Sequence, residues 1–290
     1  MKAVRYISIG LMVAASTFPA SAPVAQSPTP AARSFDHCTG FIDALPITIA
    51  TPGTWCLRRD LATAITSGRA VTINSDNVTI DCNHFTIDGL AAGPDSVAGA
   101  IYSEDRRHIT VRQCKVRGFG AGVDLSANFL STGGGHLFED NQLDLNIGYG
   151  VQVIGGEKSV VRSNILRDNG PIAMIMIGSI DIIDNTVIGS VGTGILIELN
   201  TAGSVSGNRV RDVARVGIRL TETGESVVVT GNHLNANPGR FPGGFSTIGL
   251  QCAEAPGPVF DNIIVGFDSP VVGCNAFDNT IAPRRGLDAP

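Results

Sequence analysis

The chain has 290 residues, of which 43% are hydrophobic and 16% charged, with 35 glycines and a formal net charge of −5. That much apolar content with so little charge excludes a disordered chain, and a mildly acidic protein without a basic cluster is a poor nucleic-acid binder. Few aromatics and abundant glycine suit an all-β protein with many turns.

Residues 1–25 read as a signal peptide. Lys2 and Arg5 make the positive end, Ile7 to Ala15 the short apolar run, and Ala20, Ser21 and Ala22 the small-residue region near the cut. The run is too short to span a bilayer and no second one follows, so the expectation is a secreted or periplasmic protein with no membrane span. Residues 26–35 are rich in Pro, Ala and Ser and are expected to form a flexible lead-in. Six cysteines (Cys38, Cys56, Cys82, Cys114, Cys252 and Cys274) suggest disulfides in an exported chain. Six allow fifteen connectivities, and none forms a C-x-x-C pair, so the sequence points to no metal site.

From about residue 78 one pattern recurs: an aliphatic residue, two others, Asn, one other, an apolar residue. It reads Ile80-x-x-Asn83-x-Phe85, Phe138-x-x-Asn141-x-Leu143 and Val161-x-x-Asn164-x-Leu166, and returns at Asn185, Asn208, Asn232 and Asn262. Cys114 takes the Asn place in Val111-x-x-Cys114-x-Val116. About ten residues after most markers comes a small residue followed by alternating aliphatics, as in Val123-Asp124-Leu125, Val151-Gln152-Val153 and Ile195-Leu196-Ile197. A repeat of this size built from short period-two segments means a solenoid, because no single repeat can bury its own apolar face. The asparagines are then expected to stack at one turn and hydrogen-bond along the axis.

The segment from Asn77 to Gly89, the asparagine series and the Gly-Ile-x-Leu strands resemble the right-handed parallel β-helix repeat proteins, the broad pectate-lyase-like superfold, over roughly residues 45–282. The segment from Pro52 to Leu61 looks like the strand that often precedes such helices. The resemblance implies an all-β fold: a cap and entry strands at residues 36–75, a single parallel β-helix of about eight coils at 76–282, and a tail at 283–290. It implies no single activity, since this fold hosts lyases, hydrolases, epimerases, adhesins and accessory proteins alike. In the register it implies, Cys82 and Cys114 fall beside the Asn turn of consecutive coils, and Cys252 and Cys274 follow a strand of the last two. Coils about 4.8 Å apart bring such pairs within disulfide reach, which leaves Cys38–Cys56 to clamp the cap.

Most charges have a structural explanation in this register. Asp81, Arg112, Glu139 and Arg162 stand two residues before successive markers, and Arg117, Asp144 and Arg167 three after, so both series alternate in sign as ladders on the outer surface. In related enzymes the chemistry sits on the outer face of the Gly-Ile-x-Leu strand. That face is expected to read Tyr102, Asp124, Gln152, Ile175, Leu196, Arg219 and Gly249, with Ser126, Ile154, Ile177, Glu198, Thr221 and Gln251 beside it. No coil offers two carboxylates side by side, and the polygalacturonase motifs are missing.

The densest mixed-charge neighbourhood is Glu104-Asp105-Arg106-Arg107 near Tyr102 and Asp124, which nominates Asp124, Arg107 and Glu104 for catalysis. Tyr102, Arg219, Glu198, Glu222, Ile154, Ile175 and Leu196 are nominated for substrate binding. The outward aliphatics also form a patch that either binds a polysaccharide or protein partner or is covered by a loop, the N-terminal lead-in or a second copy of the chain. Long turns at 88–99, at 236–247 with Arg240, Phe241 and Phe245, and at 127–136 are expected to flank a groove. No cofactor is implied; a lyase reading would call on Ca²⁺, which no motif supports. The expected function is binding or processing of a polysaccharide, an acidic glycan above all, by lyase or hydrolase chemistry if catalytic. The alternative is a non-catalytic solenoid for adhesion, envelope or accessory partner binding.

Overall fold

The structure, a computed structural model, describes residues 35–127, 133–199, 202–222, 227–237, 246–253 and 257–283. The expected signal peptide, nearly all of the lead-in, the residues from 284 onward, half of the turn at 127–136 and most of the turn at 236–247 lie outside the described residues.

Each coil runs through three short strands. In the coil that starts at Gly99 these are Gly99–Glu104, Thr110–Arg112 and Lys115–Arg117, after which the chain returns to Ala121–Ser126 beside its starting strand. Pairing between coils is parallel and in register, Val123 on Ile101, Phe138 on Val111 and Leu143 on Val116. The third strands stack into a ten-stranded sheet from Leu61–Ala62 to Thr280–Ala282. The first and second strands join in a 19-stranded network, because Tyr149–Arg162 and Ile172–Ile183 run through both series. The architecture is the parallel β-helix that the repeat implies.

The interior is a set of aliphatic columns. Ile101, Val123, Val151, Met174, Ile195, Ile218 and Leu250 follow one another in register, none more than 1% exposed. Burying each such side chain is worth about 1.5–3 kcal/mol. One residue earlier stands a second column, Gly122, Gly150, Ala173, Gly194, Gly217 and Gly249. A Cβ on Gly122 would stand 2.2 Å from the Gly150 carbonyl oxygen, and one on Gly217 2.6 Å from that of Gly249. The small residue that opens each Gly-Ile-x-Leu strand is therefore set by the approach of the next coil.

The tight bend between second and third strands explains the marker. The residue before each asparagine from Asn141 onward is left-handed: Asp140 at φ 55°, Ser163 at 56°, Asp184 at 53°, Asp261 at 55° and Asp278 at 50°, with glycine at 207 and 231. Asp and Gly tolerate that conformation better than other residues. The asparagine that follows is buried and fully bonded. Asn164 Oδ1 accepts the Asn141 backbone N–H at 3.0 Å and its Nδ2 at 3.1 Å, and Asn164 Nδ2 donates to the Phe138 carbonyl at 2.9 Å. The same set repeats through Asn185, Asn208, Asn232 and Asn262.

The ladder extends one coil beyond the sequence motif, to Asn279, whose Oδ1 accepts from Asn262. Ala276 stands where the motif has a larger aliphatic, which hides this last marker. At the other end, Ile47–Ile49 pairs with Arg69–Ile73, which pairs with Gly99–Glu104. A second, shorter amide ladder, unforeseen in the sequence, lines the next corner, where Asn146 donates to Asn169 Oδ1 at 3.0 Å. Ser190 continues this corner by donating to the Gly170 carbonyl.

Disulfides join Cys38 to Cys56, Cys82 to Cys114 and Cys252 to Cys274. The charge ladders form too. Arg112 pairs with Asp81 at 2.9 Å, Arg162 with Glu139 at 2.6 Å and Arg167 with Asp144 at 3.7 Å, while Arg117 takes Asp88 at 2.6 Å.

Candidate functional site on the outer sheet face

The strand Ala121–Ser126 turns Val123 and Leu125 inward, so Asp124 and Ser126 face outward. In register, Tyr102 and Gln152 flank Asp124 on the neighbouring coils. Asp124 is only 7% exposed because its neighbours close over it. Its Oδ2 accepts the Tyr149 hydroxyl at 3.0 Å, its Oδ1 accepts Gln152 Nε2 at 3.3 Å, and Ser126 Oγ donates to Oδ1 as well. A carboxylate held by three donors is fixed in place and kept ready to accept.

Tyr102 carries the aromatic surface of the cluster. The Arg69 guanidinium lies 4.5 Å from its ring centroid, a cation–π contact, and Tyr102 also hydrogen-bonds Glu104. Burial first, then Glu104, pushes the Tyr102 hydroxyl up to about 12. Burial and the adjacent Asp124 raise the Tyr149 hydroxyl still further. Both phenols therefore stay protonated donors across the physiological range. Glu104 pairs in register with Ser126, which sets it diagonally across from Asp124. That diagonal is roughly 8 Å, from a strand spacing of about 4.8 Å and a rise of about 3.3 Å for each of two residues.

Below this polar cluster the face turns apolar. Gln152 abuts Ile175, Ile175 abuts Leu196, and Ile154 abuts Ile177, all outward and half-buried. Glu198 stands next to Ile177 and Thr221, so it borders the strip. Arg219 follows Leu196 and lines a concavity of about 600 Å³ with Arg215, Thr193, Ile248 and Gln251. From Asp124 to Arg219 the face spans four strand spacings, about 19 Å.

Two expectations need correction. Arg107 does not join Asp124: it sits in the turn beyond Glu104, where its Nε is 3.9 Å from Glu157 and its backbone N–H donates to Asp76. The coil that starts at Ile248 is shifted by two residues, since Gln251 and not Gly249 pairs with Arg219; the long connection before it conceals the register. Glu222 follows the strand Val216–Thr221 as a left-handed residue at φ 52°, just beyond the end of this face.

Two members of the cluster escape a reading of the sequence. Arg69 lies in the segment expected to form the cap and entry strands. Tyr149, two residues before the buried Val151, faces outward and reaches Asp124 through its hydroxyl, which strict alternation counted back from Val151 does not show.

Among solved structures the chain is similar to the Dettilon tailspike protein, at 11% identity and a TM-score of 0.46, covering 83% of this chain and 60% of the tailspike chain. It is similar to the A-module of an Azotobacter vinelandii mannuronan C-5 epimerase at 12% identity, a TM-score of 0.40 and 83% coverage of both chains. It is also similar to the catalytic domain of a GH87 alpha-1,3-glucanase in complex with nigerose, at 10% identity, a TM-score of 0.37, and 86% and 63% coverage. No curated protein matches the sequence. Residues 99–254, more than half of the chain, match the family described as the right handed beta helix region. With these repeats, this register and this match, the chain belongs to the right-handed β-helix family.

Proposed function

We propose that this is an exported protein that binds a linear polysaccharide along the outer face of its first sheet, an acidic glycan being the class its arginines favour. The observation that carries the reading is the cluster around Asp124, a fixed carboxylate with phenol, amide and hydroxyl donors about it and the Tyr102 ring at its edge. Sugar rings offer hydroxyls to such acceptors and donors, and C–H faces to an aromatic ring. Arg69 at one end and Arg215 with Arg219 at the other supply positive charge for carboxylates on the chain. Three disulfides suit the oxidising compartment that the leader sequence implies.

Processing of the bound polymer would draw on Asp124 and Glu104. The two residues stand diagonally on neighbouring strands of the same face. Arg107 faces Glu157, so the reading assigns it no proton transfer.

A panel of uronate-containing and neutral glycans tests the proposal, read by binding, by new reducing ends and by unsaturated-uronate absorbance, with and without Ca²⁺. Binding to a uronate polymer should weaken about tenfold in Tyr102→Ala, the order of one lost aromatic contact, with the melting temperature unchanged. Asp124→Asn should weaken it without unfolding the protein. A chain that binds nothing on the panel overturns this function. The second reading, a partner surface, rests on the half-buried aliphatics Ile154, Ile175, Ile177 and Leu196, which adjoin in register.

A further inference from the structure

The N-terminal coil holds a group of side chains that glycan binding does not use. His37 Nε2 stands 3.8 Å from Cys38 Sγ and 3.7 Å from Cys56 Sγ, so one imidazole nitrogen addresses both sulfurs of a disulfide. The same nitrogen lies 3.2 Å from Asp81 Oδ2. Among the described residues no other trio of His, Cys, Asp or Glu side chains gathers its ligand atoms so closely.

We propose that the Cys38–Cys56 disulfide is one state of a two-state site, and that its dithiol form holds a zinc ion on Cys38 Sγ, Cys56 Sγ and His37 Nε2, the fourth position being left to solvent. The two N···S distances are close to the edges of a coordination tetrahedron: with Zn–S about 2.3 Å and Zn–N about 2.0–2.1 Å, such an edge is about 3.5 Å. Only the two sulfurs must separate. Their Cα atoms are 5.8 Å apart, the widest of the three disulfides, and the Cys38 end is the accessible one.

Charge and rigidity favour the same site. Cys56 is buried on the strand Gly53–Leu57, which fixes one ligand before any ion arrives, and the buried Asp81 stands beside it on the paired strand Val78–Asp81. Arg112 holds Asp81 Oδ2 at 2.9 Å and the Asn83 backbone N–H holds Oδ1 at 2.9 Å. Two thiolates and one carboxylate against Zn²⁺ and one guanidinium come to a neutral cluster, which a half-buried position tolerates. His37 is exposed and can swing onto the ion.

The conversion needs a dithiol reductant. One reductant thiolate attacks Cys38 Sγ and breaks the S–S bond, Cys56 leaves as a thiolate, and the second reductant sulfur resolves the mixed disulfide. The reductant ends as a disulfide and the protein as two thiols, two electrons having moved. Zinc then displaces two protons.

The test uses the full chain, treated with a dithiol, freed of excess reductant under anaerobic conditions and titrated with Co²⁺ and then Zn²⁺. The reduced protein should bind a single equivalent of cobalt with the visible d–d envelope of a tetrahedral thiolate site, zinc should bleach it, and the oxidised protein should give no band. His37→Gln, at an exposed position, should fold and lose the envelope. Cys252→Ser/Cys274→Ser should keep it, which separates this site from the accessible disulfide at the far end. No tetrahedral band in the reduced chain, a band that survives His37→Gln, or unfolding of the reduced chain in the presence of zinc overturns the proposal. None of these results depends on whether the protein binds a glycan.

Discussion

His136 shows what one buried polar residue does inside a stack of aliphatics. It is 2% exposed, its backbone N–H donates to Ser159 Oγ at 3.0 Å, and its Nδ1 accepts the Ile109 backbone N–H at 3.3 Å. Accepting at Nδ1 puts the proton on Nε2, which finds no partner among the described residues. Burial first, then His108, lowers the imidazole from 6.5 to about 4, with Asp76 opposing weakly. Because the fold prefers the neutral ring, its contribution is complete above pH 6.5 and is lost as pH falls toward 4 and below. The loss is about 3 kcal/mol as an upper figure. Urea unfolding at neutral pH and near pH 4 should show it, and His136→Leu should shrink the difference between the two conditions. That variant should also be less stable at neutral pH by about 1–3 kcal/mol, since the Ile109 N–H loses its acceptor.

At the scale of the strand and its corner, the asparagine ladder carries more than the salt ladders. Asn185 Oδ1 accepts two donors from the previous coil, and its own amide satisfies the Val161 carbonyl. Asn185→Ala leaves these buried groups unpaired and should cost about 2–4 kcal/mol, seen as a lower urea midpoint. Asn185→Asp should fail as well, because a carboxylate cannot donate. Arg162 pairs with Glu139 at the surface, where water and salt compete with the contact. Arg162→Gln should therefore leave the midpoint unchanged within error.

For the whole molecule, stacking makes one long face out of many weak repeats. Side chains that are remote in sequence, Tyr102, Asp124, Gln152 and Arg219, fall on one line because each coil adds the same advance. If the aliphatic stretch of that line contacts a second copy, Ile175→Ser/Leu196→Ser should lower the mass measured by light scattering, with the circular dichroism spectrum unchanged. If the line holds glycan alone, the mass should not move, and binding should fall instead.

The repeat, the Asn corner and the alternating-sign ladders were legible in the sequence, because each is a consequence of period. A fixed advance per coil converts spacing in the chain into neighbours in space. What period cannot report is where the count is broken. The connection before Ile248 moved Gln251 into the place expected of Gly249, and Arg69 entered the site from the segment read as cap and entry strands. Arg107, close to Asp124 in the chain, was carried round the turn to Glu157. Sequence by itself determined the architecture and its corners, since those rest on local conformation and repeated burial. Only the tertiary structure decided which side chains share the site, because that depends on insertions between repeats that have no period of their own.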